Sequence, residues 1–380
     1  MEGNVFTAPR RSSFRRAALQ KSPLPIGHLQ PSGGDRAQLS AAMGWLRHFA
    51  RHLLGPFFAP LRDLFWSVFA FTERTAAAWL AAYLLLAFAV YLSSQRSEPL
   101  WRGFVRYLFP KEVYAHPSAR ADVLYFVVDK ALFCWALGGI AVSGHLVTER
   151  LLRRWPAAPA ASGSALWAEV VLTFAVFLAF DFGAFSWHLL THRLPVLWAF
   201  HRVHHAVEVL TPLSNYREHP VDSLGRSTFQ GVLIGVVQAS LVHLLPGARP
   251  LHVFGLNAVY LPFLFFANAR HSHVQVHFGA RLSRFFSSPA QHQCHDGVAP
   301  EHVDVNFGLA LSVWDWLLGT LYIPKARERI SYGLIGEQRP FPTLSTMYLR
   351  PFADAWRAAV GAREPGGDAT ASGAPAPPSS

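Results

Sequence analysis

Long uncharged runs, separated by short basic segments, set the pattern of this chain. Residues 75–95 carry no charge over the ~20 positions a helix needs to cross a bilayer, and they predict a first transmembrane helix. Before it, residues 57–72 are aromatic but broken by Pro60, Arg62 and Asp63, which suits a helix lying in the membrane interface. A loop with Arg96, Arg102, Arg106 and Lys111 leads to a second predicted span over 123–148, with Asp129 and Lys130 near its start. Residues 155–164 read as a linker. A third apolar run covers 165–187 and contains Glu169 and Asp181. Residues 227–248 and 250–269 are two further uncharged runs joined by a Pro/Gly turn, so the region 227–269 predicts a helical membrane hairpin.

The expected fold class is therefore all-α, an integral-membrane helical bundle of about four to five spans. The organisation that follows is a flexible basic extension over 1–56, membrane helices and linker over 57–164, a main domain over 165–330, a C-terminal extension over 331–360 and a disordered tail over 361–380. Composition agrees: 51% of the 380 residues are hydrophobic and only 15% charged, which excludes a disordered chain. The net charge of +11 does not indicate nucleic acid, because the arginines are scattered between apolar runs with no nucleic-acid motif. Basic loops are ordinary orientation signals in membrane proteins. Two cysteines, Cys134 and Cys294, cannot build a disulfide framework.

Histidine is the unusual component. Fourteen of the 19 lie between His188 and His302. His188 and His192 have i,i+4 spacing, His201, His204 and His205 add i,i+3 and i,i+4 pairs, and His292 and His295 repeat i,i+3, so each set shares one helix face. One such pair is ordinarily a surface or core feature; three sets on one membrane face point to metal. The hairpin would return the chain to the side it left, placing His188–His219 and His271–His295 on the same face. Arg193, Arg202, Arg217, Arg226, Arg270 and Arg284 on that face, against Arg249 opposite, predict that it is cytosolic. Imidazole suits zinc, copper, iron and nickel alike, and a set this large implies two ions. His243 and His252 read as packed or interfacial, while His273, His277 and His302 stay undecided.

The run from Asp181 through Trp187, His188, His192, Pro195, Trp198, His201, His204 and His205 resembles the fatty acid hydroxylase/sterol desaturase superfamily. So do Arg217, His219 and Pro220, then Arg270, His271 and His273 after the apolar hairpin. The last blocks are Ser288, Pro289, His292 and His295, then Asp304, Asn306 and Gly308, then Trp314, Asp315, Gly319 and Thr320. The resemblance spans roughly 181–324, with a looser echo over 109–122. It implies a membrane-bound di-iron oxygenase that uses O2 and external electrons to hydroxylate or desaturate a fatty-acyl, sphingolipid or sterol-like lipid.

Under that resemblance the metal ligands are His188, His192, His201, His204, His205, His271, His292 and His295, with His219, Asp296 and His273 as secondary candidates. Asp181, Arg217, Asp304 and Asn306 would form an outer layer that fixes ring tautomers, or else act as caps, turns and ion pairs. Two positions depart from the family. Leu189 stands where an arginine commonly follows the first histidine. Asp296 stands where a second adjacent histidine is usual, and it either supplies an oxygen ligand or leaves one metal short of ligands.

The lipid substrate would come from the bilayer. The aromatic segments 263–266 and 278–286 either line its route or pack as core. No reductase, haem or flavin motif is visible, so a separate reductase, ferredoxin or cytochrome is the expected electron donor. Two other readings of the same residues are a histidine-rich metal transporter or storage protein, and an oxygenase-like scaffold inactivated by Asp296.

Overall fold

A computed structural model describes residues 76–94, 98–130, 143–155, 165–326, 328–337 and 339–361. The expected N-terminal extension, the interfacial helix, the middle of the second span, most of the linker and the C-terminal tail lie outside these residues. The main helices are α1 (Ala77–Ser93), α2 (Leu100–Leu108), α3 (Pro117–Val128), α4 (Gly144–Arg154), α5 (Leu166–Arg193), α6 (Pro195–His205), α7 (Pro220–Leu244), α8 (Pro289–His295) and α9 (Leu344–Ala359). Among the described residues the only strands are His252–Val253 and Leu256–Asn257, paired antiparallel.

The helix limits follow from local chemistry. α5 runs unbroken until Leu194, and Pro195, which cannot extend that helix, takes the first position of α6 with its φ already helical. Pro220 and Pro289 open α7 and α8 in the same way. Ser288 caps α8 reciprocally with Gln291, its side chain accepting from the Gln291 amide while the Gln291 side chain accepts from the Ser288 amide.

α5 and α7 are long and apolar enough to cross a membrane, at 28 and 25 residues; α1 is apolar but only 17 residues long. α7 packs along both α5 and α4, and α6 packs against α5 and α9. The α4–α7 crossing is close because Gly144 and Gly235 face it, and a Cβ on Gly235 would sit 2.4 Å from Val147. Small residues let membrane helices approach in this way. The Thr148 hydroxyl adds a hydrogen bond across the crossing to the Gly235 carbonyl at 3.3 Å.

The expected hairpin is corrected in its second half. Residues 250–269 do not form a spanning helix. They form the small β-hairpin and two single turns, Leu261–Leu264 and Ala267–Arg270. Pro250 and Pro262 interrupt helical bonding, and the two residues joining the strands, Phe254 and Gly255, both have positive φ, as a two-residue hairpin turn of this hand requires. The irregular segment is held against α5: Thr173 accepts from the Leu251 amide at 2.8 Å through its hydroxyl and from Asn257 at 2.9 Å through its carbonyl. Further along, the Phe263 ring stacks on Phe177. The hairpin tip over 252–255 is exposed, while the residues after it lie half-buried beside α5. The segment thus runs back along α5 and delivers His271 to the His188 end of that helix.

Candidate metal centre

Three helix ends meet at one place. His188 and His192 occupy the last turns of α5, His201, His204 and His205 the last turns of α6, and His292 and His295 the short α8. His271 follows the turn Ala267–Arg270. The donors sort into two groups. In one, His188, His192, His201, His205 and His295 offer five nitrogens within 4.8 Å of one another; in the other, His204, His271, His292 and Asp296 offer three nitrogens and an oxygen. Tetrahedral to six-coordinate metals take donor sets of this size.

Hydrogen bonds outside the centre orient the rings. The Nδ1 atoms of His188, His295 and His204 donate to the carbonyls of Phe307 at 3.0 Å, Val305 at 2.7 Å and Arg217 at 3.3 Å. His201 donates to Asp222 at 2.7 Å and His192 to Asp304 at 3.2 Å. These bonds place the ring proton on Nδ1 and leave the Nε2 lone pair pointing inward. Inside, His205 Nε2 lies 3.1 Å from His192 Nε2 and 3.2 Å from His201 Nε2, and His271 and His292 bring their Nε2 atoms to 2.8 Å. His192 and His201, each carrying its ring proton on Nδ1, turn bare Nε2 lone pairs into this space, the donors that a metal cation takes.

Burial holds the His204 and His295 rings down to about 4 and about 3, and His205 and His292 well below the usual imidazole range, so all four are neutral and ready to ligate at pH 7. Asp296 is the converse. Its Oδ1 lies 3.8 Å from nitrogens of His204 and His205, and its Oδ2 3.8 Å from nitrogens of His271 and His292. Both oxygens are buried without a hydrogen bond, as is His295 Nε2, and burial pushes the Asp296 carboxyl well above its usual range. An orphaned carboxylate among imidazoles is costly for an empty protein and is the donor a hard metal ion accepts. The residues fit two metal ions.

Two secondary candidates lie elsewhere. His219 caps α7, accepting from the Val221 amide, and its other nitrogen donates to the Tyr348 carbonyl at 3.1 Å. His273 donates to the Tyr107 carbonyl at 2.7 Å. Both rings are used by the fold, and neither joins a donor group. His302 meets Glu328 at 2.8 Å with Cys294 close by, but Glu328 also accepts from Tyr322 and Lys325, so protein partners already satisfy it.

The expected outer layer divides. Asp304 touches a histidine ring directly. Arg217 anchors the loop whose carbonyl holds His204: it pairs with buried Asp122 at 2.7 Å and donates to Ser118 and Ala206. Asn306, with φ near 56°, donates to the Gln291 carbonyl and accepts from the Tyr322 amide, which fixes the Val305 and Phe307 carbonyls on either side. Asp181 accepts from the Ala310 and Leu311 amides and from Trp314 at 2.8–3.2 Å, tying α5 to the same loop. Asp315 accepts from the Phe307 and Gly308 amides and so shapes that loop too.

Sequence reasoning missed Asp222 and Arg270. Asp222 lies one turn beyond the α7 cap, with only its spacing from His219 as a signal. Arg270 reaches His292 Nδ1 at 3.1 Å and the Gly308 carbonyl at 3.0 Å.

Residues 173–320 match the fatty acid hydroxylase family. The chain is 31% identical to an ornithine lipid hydroxylase of Rhizobium tropici over 158 residues, 41% of this chain and 44% of that protein. It is 28% identical to an alkylglycerol monooxygenase of Danio rerio over 184 residues, 48% of this chain and 37% of that protein. The human alkylglycerol monooxygenase is 25% identical over 181 residues, 47% and 37% of the two chains. The chain thus spans less than half the length of these curated relatives. No solved structure matches it. The segment 173–320, which contains every histidine of the two donor groups, is a fatty acid hydroxylase domain by its family match.

Proposed function

We propose that the protein is a membrane-bound lipid hydroxylase whose two donor groups hold two iron ions, with Asp296 as the oxygen ligand of the second. The observation that carries this reading is the convergence of eight histidines and one carboxylate without a hydrogen bond into two adjacent sets at the end of the apolar helix α5. The overall reaction balances as RH + O2 + 2 e⁻ + 2 H⁺ → ROH + H2O, with the electrons from a separate reductase, ferredoxin or cytochrome. Bound iron would supply the O2-dependent redox chemistry that an unactivated C–H bond requires.

The chain's own residues do the rest. Asp222, Asp304 and the carbonyls of Phe307, Val305 and Arg217 fix the imidazole tautomers. α5 and α7 embed the protein in the bilayer, so that a lipid reaches the centre without crossing water. The cavity at the centre mixes ligands with Glu218, Arg226 and Asn215, a lining suited to the polar end of an amphiphile. Arg193, Arg202 and Arg226 on this side favour a cytosolic catalytic face. Hydroxylation is preferred over desaturation because the similar curated proteins are named as a hydroxylase and as monooxygenases.

The test is comparative lipid mass spectrometry of cells with and without the gene under ¹⁸O2. A lipid carrying one ¹⁸O atom only in the expressing cells is the expected result. An unchanged lipidome, or a two-hydrogen loss without label, contradicts it.

A further inference from the structure

A groove of about 660 Å³ lies between α5, α6 and α7, walled by Trp187, Leu197, Phe200, Val221, Phe229 and Val236. It borders the cavity of the metal centre, and the two share Trp187 and Asp222. From Asp222 to Val236 the groove follows α7 for ~21 Å at 1.5 Å per residue, more than the ~15 Å depth of one leaflet's hydrocarbon. Its flank is open: Phe229, Val232 and Val236 are 36%, 43% and 44% exposed, where bilayer lipid would meet them.

Trp187 closes the inner end. Its indole N–H donates to Asp222 Oδ1 at 2.7 Å, and the other oxygen of the same carboxylate accepts from His201 at 2.7 Å. Gly225 packs against the ring, and a Cβ there would stand 2.2 and 2.4 Å from two indole carbons. The ring is therefore fixed between a glycine that leaves it room and a carboxylate that also holds a donor of the metal centre.

We infer that this groove receives a single alkyl chain of a bilayer lipid, and that Trp187 is the positioning residue that separates the chain from the donor cluster. The inference rests on the lipid-hydroxylase reading. A second apolar recess, about 310 Å³ and bounded by Tyr260, Phe263, Phe266, Phe278 and Phe286, meets the metal cavity at Arg270 and Leu309 instead. The guanidinium of Arg270 stands at that junction, and an alkyl chain passing it would desolvate a charge. At the α7 groove's junction the charged group is Asp222, whose two oxygens are already taken by Trp187 and His201, and the groove has about twice the volume.

The test uses the full chain in phosphatidylcholine vesicles and a photoreactive palmitic acid with its diazirine near the methyl end. Crosslinks that unlabelled palmitate competes away are expected in peptides covering 221–236. Val232→Trp, at a half-exposed position of the groove wall, should reduce them at least fivefold, while Phe266→Trp in the second recess leaves them unchanged. Gly225→Ala, which displaces the indole, should move crosslinks inward to 187–204. Competable crosslinks concentrated in 260–286, insensitivity to Val232→Trp, or a pattern unmoved by Gly225→Ala would overturn the inference. The readout needs no turnover, so labelling of the groove in a chain that hydroxylates nothing sinks the functional reading alone. Labelling at 260–286 in an active enzyme sinks only the groove.

Discussion

Replacing Asp296 by leucine, which has nearly the same shape, should change stability in opposite directions with and without metal. In the metal-free protein the carboxyl is buried, and neither oxygen has a hydrogen-bond partner. An unsatisfied buried polar group costs roughly 1–3 kcal/mol, so removing it should raise metal-free stability by about 2 kcal/mol. That corresponds to roughly 4–8 °C in melting temperature for a domain of this size. With metal the sign reverses. Loss of an outer-layer partner alone typically costs 10–100-fold in metal affinity, so loss of the ligand itself should exceed ~100-fold, about 2.7 kcal/mol. Elemental analysis should find two metals per chain in the wild type and one in Asp296→Leu. Thermal melts of purified protein, stripped by chelator and reloaded, then give the two stabilities. If the variant keeps two metals with unchanged affinity, or is destabilised equally in both states, Asp296 is a structural residue and the reasoning is wrong.

Asp296→His, which restores the residue usual in the family, should retain two metals per chain by the same elemental analysis. Loading the second group should release protons, because burial raises Asp296 well above its usual range and the carboxyl must ionise to ligate. Affinity there should fall with decreasing pH, whereas His204 and His295, held down to about 4 and about 3, take up protons only in stronger acid; a pH-indicator titration counts the protons. For the metal-free chain the sign is also fixed: histidines depressed on folding stabilise it above their unfolded pKa of ~6.5, so it should lose stability as pH falls from there toward 4, read by melts across pH. His219→Ala should cost about 1 kcal/mol as a lost helix cap and keep both metals, while His204→Ala should lose one. Arg217→Ala, which strands buried Asp122, should cost roughly 3–5 kcal/mol, and the double variant with Asp122→Ala less than the sum of the two in denaturant unfolding.

The parts of the site legible in the sequence are those carried by periodicity. His188 and His192, the three histidines of 201–205, and His292 with His295 announce themselves because helical spacing puts them on one face, and the structure turns each face toward the others. Residues 250–269 misled because hydropathy measures burial, not helicity: Tyr260, Phe263 and Phe266 are apolar enough to cross, yet Pro250, Pro262 and Gly255 break the segment into turns. His219 and His273 look like ligands by type, but one caps a helix and the other meets a carbonyl, and neither use leaves a mark in the spacing. The outer layer was the least legible. Three of its acceptors are backbone carbonyls, at Val305, Phe307 and Arg217, and any residue type supplies one.

The most direct measurement is a single turnover of purified, iron-loaded and chemically reduced protein with ¹⁸O2 and a bilayer lipid extract, comparing wild type with His188→Ala and His204→Ala. One ¹⁸O atom in one lipid class from the wild type, lost when either donor group is broken, is the predicted result. Lipid oxidation that survives the loss of one group, or a desaturated product without label, would contradict a two-metal lipid hydroxylase.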